Sequence, residues 1–168
     1  MRAIATLLAA LLATPAAMAA DKPEITRGAA PPQAVGKLHT LRTIPEACAT
    51  LTGKFTGRAD APYALDAVRT SPNCQARARL VDAAKAGASA KAGWILNDRI
   101  RVPSAACPSR QAVVEVWRRP GGGAVPAKDG QGQARIYLRE GIARARAGEL
   151  AALPVYAVRM AIEGKPCR

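Results

Sequence analysis

Histidine is nearly missing from this chain: His39 is the only one, beside one phenylalanine, three tyrosines, two tryptophans and 12 acidic residues. Each shortage excludes something. A Ser–His or Cys–His catalytic pair would have to be built on His39, and no G-x-S-x-G, H-E-x-x-H or S-x-x-K pattern occurs after residue 20. Six aromatic rings leave few platforms for stacking bases or sugars, and no zinc-finger or RNP signature is present, so sequence-specific nucleic-acid reading is not expected. The four cysteines form no C-x-x-C pair and have no neighbouring histidine, which argues against zinc; no metal and no cofactor are expected. Scarce acids leave paired carboxylates, as in glycoside hydrolysis, as the one open enzymatic route.

Long apolar runs are also lacking, apart from the first twenty residues. Met1-Arg2 is a minimal basic start, residues 3–13 are an apolar run, Thr14-Pro15 breaks it, and Ala17-Met18-Ala19 is an A-x-A cleavage pattern. Residues 1–20 therefore read as a signal peptide, and the remaining chain as exported, periplasmic or extracellular, with no membrane span. In an oxidising compartment an even cysteine count points to disulfides. The expected pairs are Cys48 with Cys74, because a hairpin brings them together, and by remainder Cys107 with Cys167.

What the chain has in excess is positive charge, 25 lysines and arginines for a net +13 over 168 residues. It is spread along the sequence, so it speaks for solubility and attraction to polyanions and says nothing of fold. Residues 21–36, with Pro23, Pro31 and Pro32 and no core period, read as a flexible Pro-containing leader, disordered or extended. Residues 37–168 are of a size for one β-rich domain.

Strand-like patterns fill that domain. Residues 37–44 form a first run. Residues 48–56 and 63–70 flank a turn and pair with Phe55 opposite Leu65 and Lys54 opposite Asp66. Residues 75–81 alternate, with Gln75, Arg77 and Arg79 on one side. Residues 82–93, rich in Ala, Gly and Lys, read as a short helix or loop. In residues 94–102, Trp94, Leu96, Ile100 and Val102 share one side and Arg99 and Arg101 the other. Asp98 falls in the apolar row, and a turn or bulge at Asn97-Asp98 is preferred to a buried acid.

The organising hairpin is read as residues 111–119 against 133–139, setting Val114 opposite Leu138 and Val116 opposite Ile136 on an apolar face. Val113, Glu115, Trp117, Arg135, Tyr137 and Arg139 then occupy a wet, charged and aromatic face. Residues 142–153 are open between helix and strand, and residues 155–163 end the domain as a strand with Tyr156, Val158, Met160 and Ile162 on one side. The fold class is mainly β, an antiparallel sandwich or small barrel with at most one or two short helices, stapled by disulfides.

Arginine placement is the suggestive constellation. Arg77/Arg79, Arg99/Arg101 and Arg135/Arg139, with Tyr137 between the last two, project in same-side pairs suited to bidentate recognition of phosphate, sulfate or carboxylate. Trp117 and Arg135 are placed for a cation–π contact. The plain alternative is a solvated face on which Glu115 pairs with Arg135 and Arg139. The expected function is a non-catalytic module for an anionic envelope component: surface polysaccharide, lipid head group or acidic protein. The alternative is a protein–protein module, a hydrolase inhibitor or envelope-assembly component, contacting through Trp117, Tyr137 and the loop 121–132. An uncharacterised hydrolase comes third.

Overall fold

The computed structural model describes residues 22–121, 130–131, 143, 146–148 and 153–167. Two sheets carry the chain. Strands β1 (His39–Ile44), β2 (Ala49–Phe55) and β3 (Tyr63–Arg69) form an antiparallel three-stranded sheet. Strands β4 (Arg79–Asp82), β5 (Ile95–Pro103), β6 (Arg110–Arg119) and β7 (Val155–Gly164) form the second, in the order β4-β7-β6-β5. The protein is mainly β, and α1 (Ala83–Ala86), a single helical turn, is capped by Asp82. One pairing departs from the antiparallel expectation: β4 runs parallel to β7.

The sheets share one core. Strand β2 alternates strictly, so Ala49, Leu51, Gly53 and Phe55 point inward while Thr50, Thr52 and Lys54 point out. From the other sheet come Ala112, Val114 and Val116 of β6 and Ile100 and Val102 of β5. The inner residues of β7, Tyr156, Val158, Met160 and Ile162, pack against the rim as their spacing predicted. Glycine is required at position 53 on steric grounds. A Cβ there would lie 1.7 Å from the Tyr63 hydroxyl, so only glycine lets Tyr63 lie across β2 onto Phe55.

Several expected registers are corrected. β2 and β3 pair two residues tighter, with Phe55 opposite Tyr63 and Leu65 opposite Gly53, because Thr56 N donates to Pro62 O and closes the turn sooner. A slip of two keeps every side chain on its face. The run at 75–81 becomes a strand only from Arg79; Arg77 lies in the bend before it, where the Arg77 and Ala78 amides both donate to Glu46 O. Strand β6 does not take residues 133–139 as its neighbour, because both edges are filled. Val114 faces Ile100 on one side and Met160 on the other, and Val116 faces Asp98 and Val158. Residues 133–139 themselves lie outside the described residues, as does nearly all of 142–153.

A second, smaller apolar cluster sits on the outer face of the four-stranded sheet. Trp117, Leu96 and Ala157 are covered there by Ala83 of α1 and by Ala88 and Trp94, which lie on either side of the 3₁₀ turn Ala90–Ala92. Trp117 is 3 % exposed and Val113 equally buried, which corrects the expectation of a wet face around both. Two disulfides, Cys48–Cys74 and Cys107–Cys167, join the expected pairs and are consistent with an oxidising compartment. Cys48 adopts a left-handed backbone (φ 51°) after the turn Pro45–Ala47. No helix among the described residues is long and apolar enough to cross a membrane.

Candidate functional site: a bulge-built ion cluster and an arginine row

Two β-bulges, one in each sheet, determine where the charges go. In β1 the register shifts between Thr40 and Arg42, so Arg42 stands opposite Leu51 on the inner face, although strict alternation from Thr40 would place it outside. In β5 the register shifts between Leu96 and Asp98. Trp94 and Leu96 therefore join the outer cluster while Ile100 and Val102 join the inter-sheet core; the single apolar row read from the sequence is split in two. Of the turn or bulge expected at Asn97-Asp98 the structure has the bulge, but it does not spare the acid. Asp98 is turned inward beside Val116 and is 0 % exposed.

A buried carboxylate needs cations, and it has two. Arg27 grips it edge-on, Nε to Oδ1 at 2.9 Å and Nη2 to Oδ2 at 2.6 Å. Arg42 reaches it from the opposite sheet, Nη1 lying 3.3 Å from Oδ2 in an ion-pair contact without a hydrogen bond. Arg27 comes from residues 22–36. Of the two readings of that leader, the extended one describes it. Glu24 N donates to Leu96 O, Ile25 N to Asn97 O, Ala30 N to Arg101 O and Gln33 N to Pro103 O, so the segment lies parallel along β5 as a strap.

The strap brings a second ion pair. Glu24 accepts from Asn97 Nδ2 (2.5 Å) and from the Nε (2.6 Å) and Nη2 of Arg118. These bonds to Arg118 and Asn97 hold the Glu24 carboxyl down at about 2, and the Arg118 guanidinium is pushed up in return. Tyr156, opposite Arg118 on β7, completes the inner end of this sheet; burial, followed by the Glu46 carboxylate, pushes its phenol up. At the opposite sheet Tyr63 is pushed up to about 12 by burial, and its hydroxyl meets His39 Nε2 at 2.9 Å. The lone histidine is thus engaged with a tyrosine.

The outer face holds the arginines. Register puts Arg99 of β5, Glu115 of β6 and Arg159 of β7 in one cross-strand row. Arg99 donates to Glu115 Oε1 through Nε (3.0 Å) and Nη2 (2.8 Å), and Arg159 donates to Oε2 through Nε (3.1 Å) and Nη2. Burial raises the Glu115 carboxyl, but Arg159 and Arg99 outweigh it and keep the group below its usual value. Arg159 also lies 5.7 Å over the Trp117 ring, the cation–π position expected of Arg135. Arg101 projects from the next pleat, and Arg79 and Arg119 flank Val155 on the far side of the tryptophan cluster.

Of the residues proposed from sequence, the structure brings Glu115, Arg99, Arg101, Trp117 and Arg79 to one sheet, with Trp117 beneath the surface. Arg77 is off that sheet. Arg135, Tyr137, Arg139 and the loop 122–129 lie outside the described residues. Glu24, Arg27, Arg42, Asn97, Arg118 and Arg159 were missed. One signal was available, since an acid in an apolar row calls for a cation from elsewhere in the chain. Among the described residues no three His, Cys, Asp or Glu side chains gather as a metal site. No protein-family model, curated protein or solved structure matches this chain.

Proposed function

We propose that the protein is an exported, non-catalytic binding module for an anionic partner, contacted through the outer face of the β4-β7-β6-β5 sheet. One observation carries the reading: among the described residues of that face, Arg79, Arg99, Arg101, Arg119 and Arg159 stand against only two carboxylates, Glu115 and Glu163. Glu115 is spent on Arg99 and Arg159, and Glu163 accepts from Gln111. Arg79, Arg101 and Arg119 are exposed and have no side-chain partner among the described residues. Glu115 holds Arg99 and Arg159 in place, so less side-chain freedom is lost when an anion docks. Export is supported by the A-x-A pattern at Ala17-Met18-Ala19 and by the two disulfides. The two innermost acids, Asp98 and Glu115, are each held by two guanidiniums, which suits a scaffold better than proton transfer.

The test is retention on a sulfated polysaccharide matrix across a salt series. Arg101→Ala with Arg159→Ala is expected to lower the eluting salt sharply. Lys54→Ala, which removes charge from the outer face of the other sheet, is expected to change it little. Elution of the wild type at low salt, or an equal loss from Lys54→Ala, overturns the reading.

A further inference from the structure

The outer tryptophan cluster holds two donors without an acceptor. Trp94 and Trp117 are 5 % and 3 % exposed, and neither indole N–H has a hydrogen-bond partner. A buried indole N–H is ordinarily paired, so two in one cluster call for an oxygen that arrives from outside. The rings are neighbours: Leu96 stands opposite Trp117, and Trp94, two residues earlier on the same face, lies diagonal to it. What covers them from residues 83–93 is slight, namely Ala83, Ala86 and Ala88, with one methyl each. Every described hydrogen bond of that segment closes within it or on its two neighbours, Asp82 and Trp94, and none crosses to β6 or β7. Its last residue, Gly93, turns into Trp94 with a left-handed φ of +79°.

Cations border the cluster. Arg79 and Arg119 flank Val155, which packs against it, and Arg159 lies over Trp117. Lys85 and Lys91, exposed on the segment itself, have no ion-pair partner among the described residues. We propose that residues 83–93 are a lid, and that the two indoles beneath it bind a sugar ring of an acidic polysaccharide whose acid groups dock on Arg79, Arg119 and Arg159. This site rests on the anion reading and narrows its partner. A pyranose ring carries C–H groups on its faces and oxygens round its rim. One group thus supplies an apolar surface for the indoles and acceptors for both N–H donors. A lipid head group or an acidic side chain supplies the charge without that apolar, oxygen-rimmed plate. Lid opening uncovers two rings that the bound sugar covers again, so little apolar surface is left in water.

Trp94 and Trp117 are the two tryptophans of the chain, so intrinsic fluorescence reports on this cluster alone. The wild type is titrated with dextran sulfate, polyphosphate, polyaspartate and phosphatidylglycerol vesicles at equal charge, with binding followed in parallel by calorimetry. Dextran sulfate is expected to shift the tryptophan emission until the site saturates, and the other three to bind without shifting it. Trp117→Phe keeps an aromatic ring and removes one donor. It is expected to lower the preference for dextran sulfate over polyphosphate about five-fold. Should that variant fail to fold, the wild-type titration decides alone. Dextran sulfate that binds without moving the emission, or an equal shift from any of the other three, overturns the sugar site and leaves the anion reading standing. Binding to none of the four overturns the anion reading, and the sugar site with it.

Discussion

Arg42 and Asp98 face each other across the space between the sheets, Nη1 to Oδ2 at 3.3 Å, and each is there because its strand carries a bulge. Remove either bulge and one of them turns to solvent, since one residue of slip inverts every side chain beyond it. The pair fixes how the sheets are stacked, because it is the described ion pair that joins β1 to β5. Asp98→Ala is expected to destabilise the fold by about 3–5 kcal/mol, leaving Arg42 buried without its counter-charge. Arg42→Met combined with Asp98→Leu is expected to recover much of that loss. Urea unfolding midpoints decide it, and a loss under about 1 kcal/mol for Asp98→Ala would show that the carboxylate is not held as described.

Arg27→Ala should act on the strap first. Arg42 still neutralises part of the Asp98 charge and Arg27 is itself 39 % exposed on its side chain, so the global cost is smaller, about 1–3 kcal/mol. Locally the effect is larger. The amides of Glu24, Ile25 and Ala30, which donate to β5, are expected to exchange with solvent much faster while β6 amides keep their protection. Uniform acceleration across both sheets would mean that the strap unfolds only with the rest of the protein.

How much of this was legible in the sequence follows from the range of the forces involved. Alternation is local, so β2, β6 and β7 and the inward row at Tyr156, Val158, Met160 and Ile162 could be read directly. Disulfide pairing was legible because the hairpin of β2 and β3 set Cys48 near Cys74. Which strands lie side by side was not. β6 alternates in a way that fits any partner, and the pairing with β5 and β7 depends on contacts far along the chain. Bulges hide for a related reason: Leu41 is unremarkable in its strand, and the extra residue shows only in the pairing. The choice between a disordered and an extended leader stayed open because Pro23, Pro31 and Pro32 signal missing amides, whereas the order comes from Glu24 and Arg27 meeting residues more than seventy positions away.

Glu24 predicts an acid limb. Its carboxyl titrates at about 2 in the folded protein against an ordinary value of 4.5. A group lowered on folding stabilises above its unfolded value, and the contribution fades as pH falls through the window between about 4.5 and about 2. Glu24→Gln is therefore expected to flatten the fall in thermal midpoint across that window, while changing stability near neutrality through the weaker bond to Arg118. An acid limb identical in wild type and Glu24→Gln would assign the loss to other carboxylates, Glu115 first among them since its carboxyl is also lowered.

Gly53→Ala tests the packing of the three-stranded sheet. The added methyl would sit 1.7 Å from the Tyr63 hydroxyl oxygen and 2.5 Å from the ring carbon that bears it. Both distances are impossible, so the ring must leave its edge-on contact with Phe55, centroids 4.9 Å apart, and its hydroxyl must leave His39. Overpacking of this kind costs about 1–3 kcal/mol. Tyr63→Phe alone removes only the bond to His39, about 0.5–1.5 kcal/mol. The double variant separates the two effects. Deleting the hydroxyl does not make room, because the ring carbon still collides, so Gly53→Ala with Tyr63→Phe should be at least as unstable as Gly53→Ala. Chemical denaturation of the four proteins measures this directly, and a double variant restored to wild-type stability would place Tyr63 elsewhere than across Gly53.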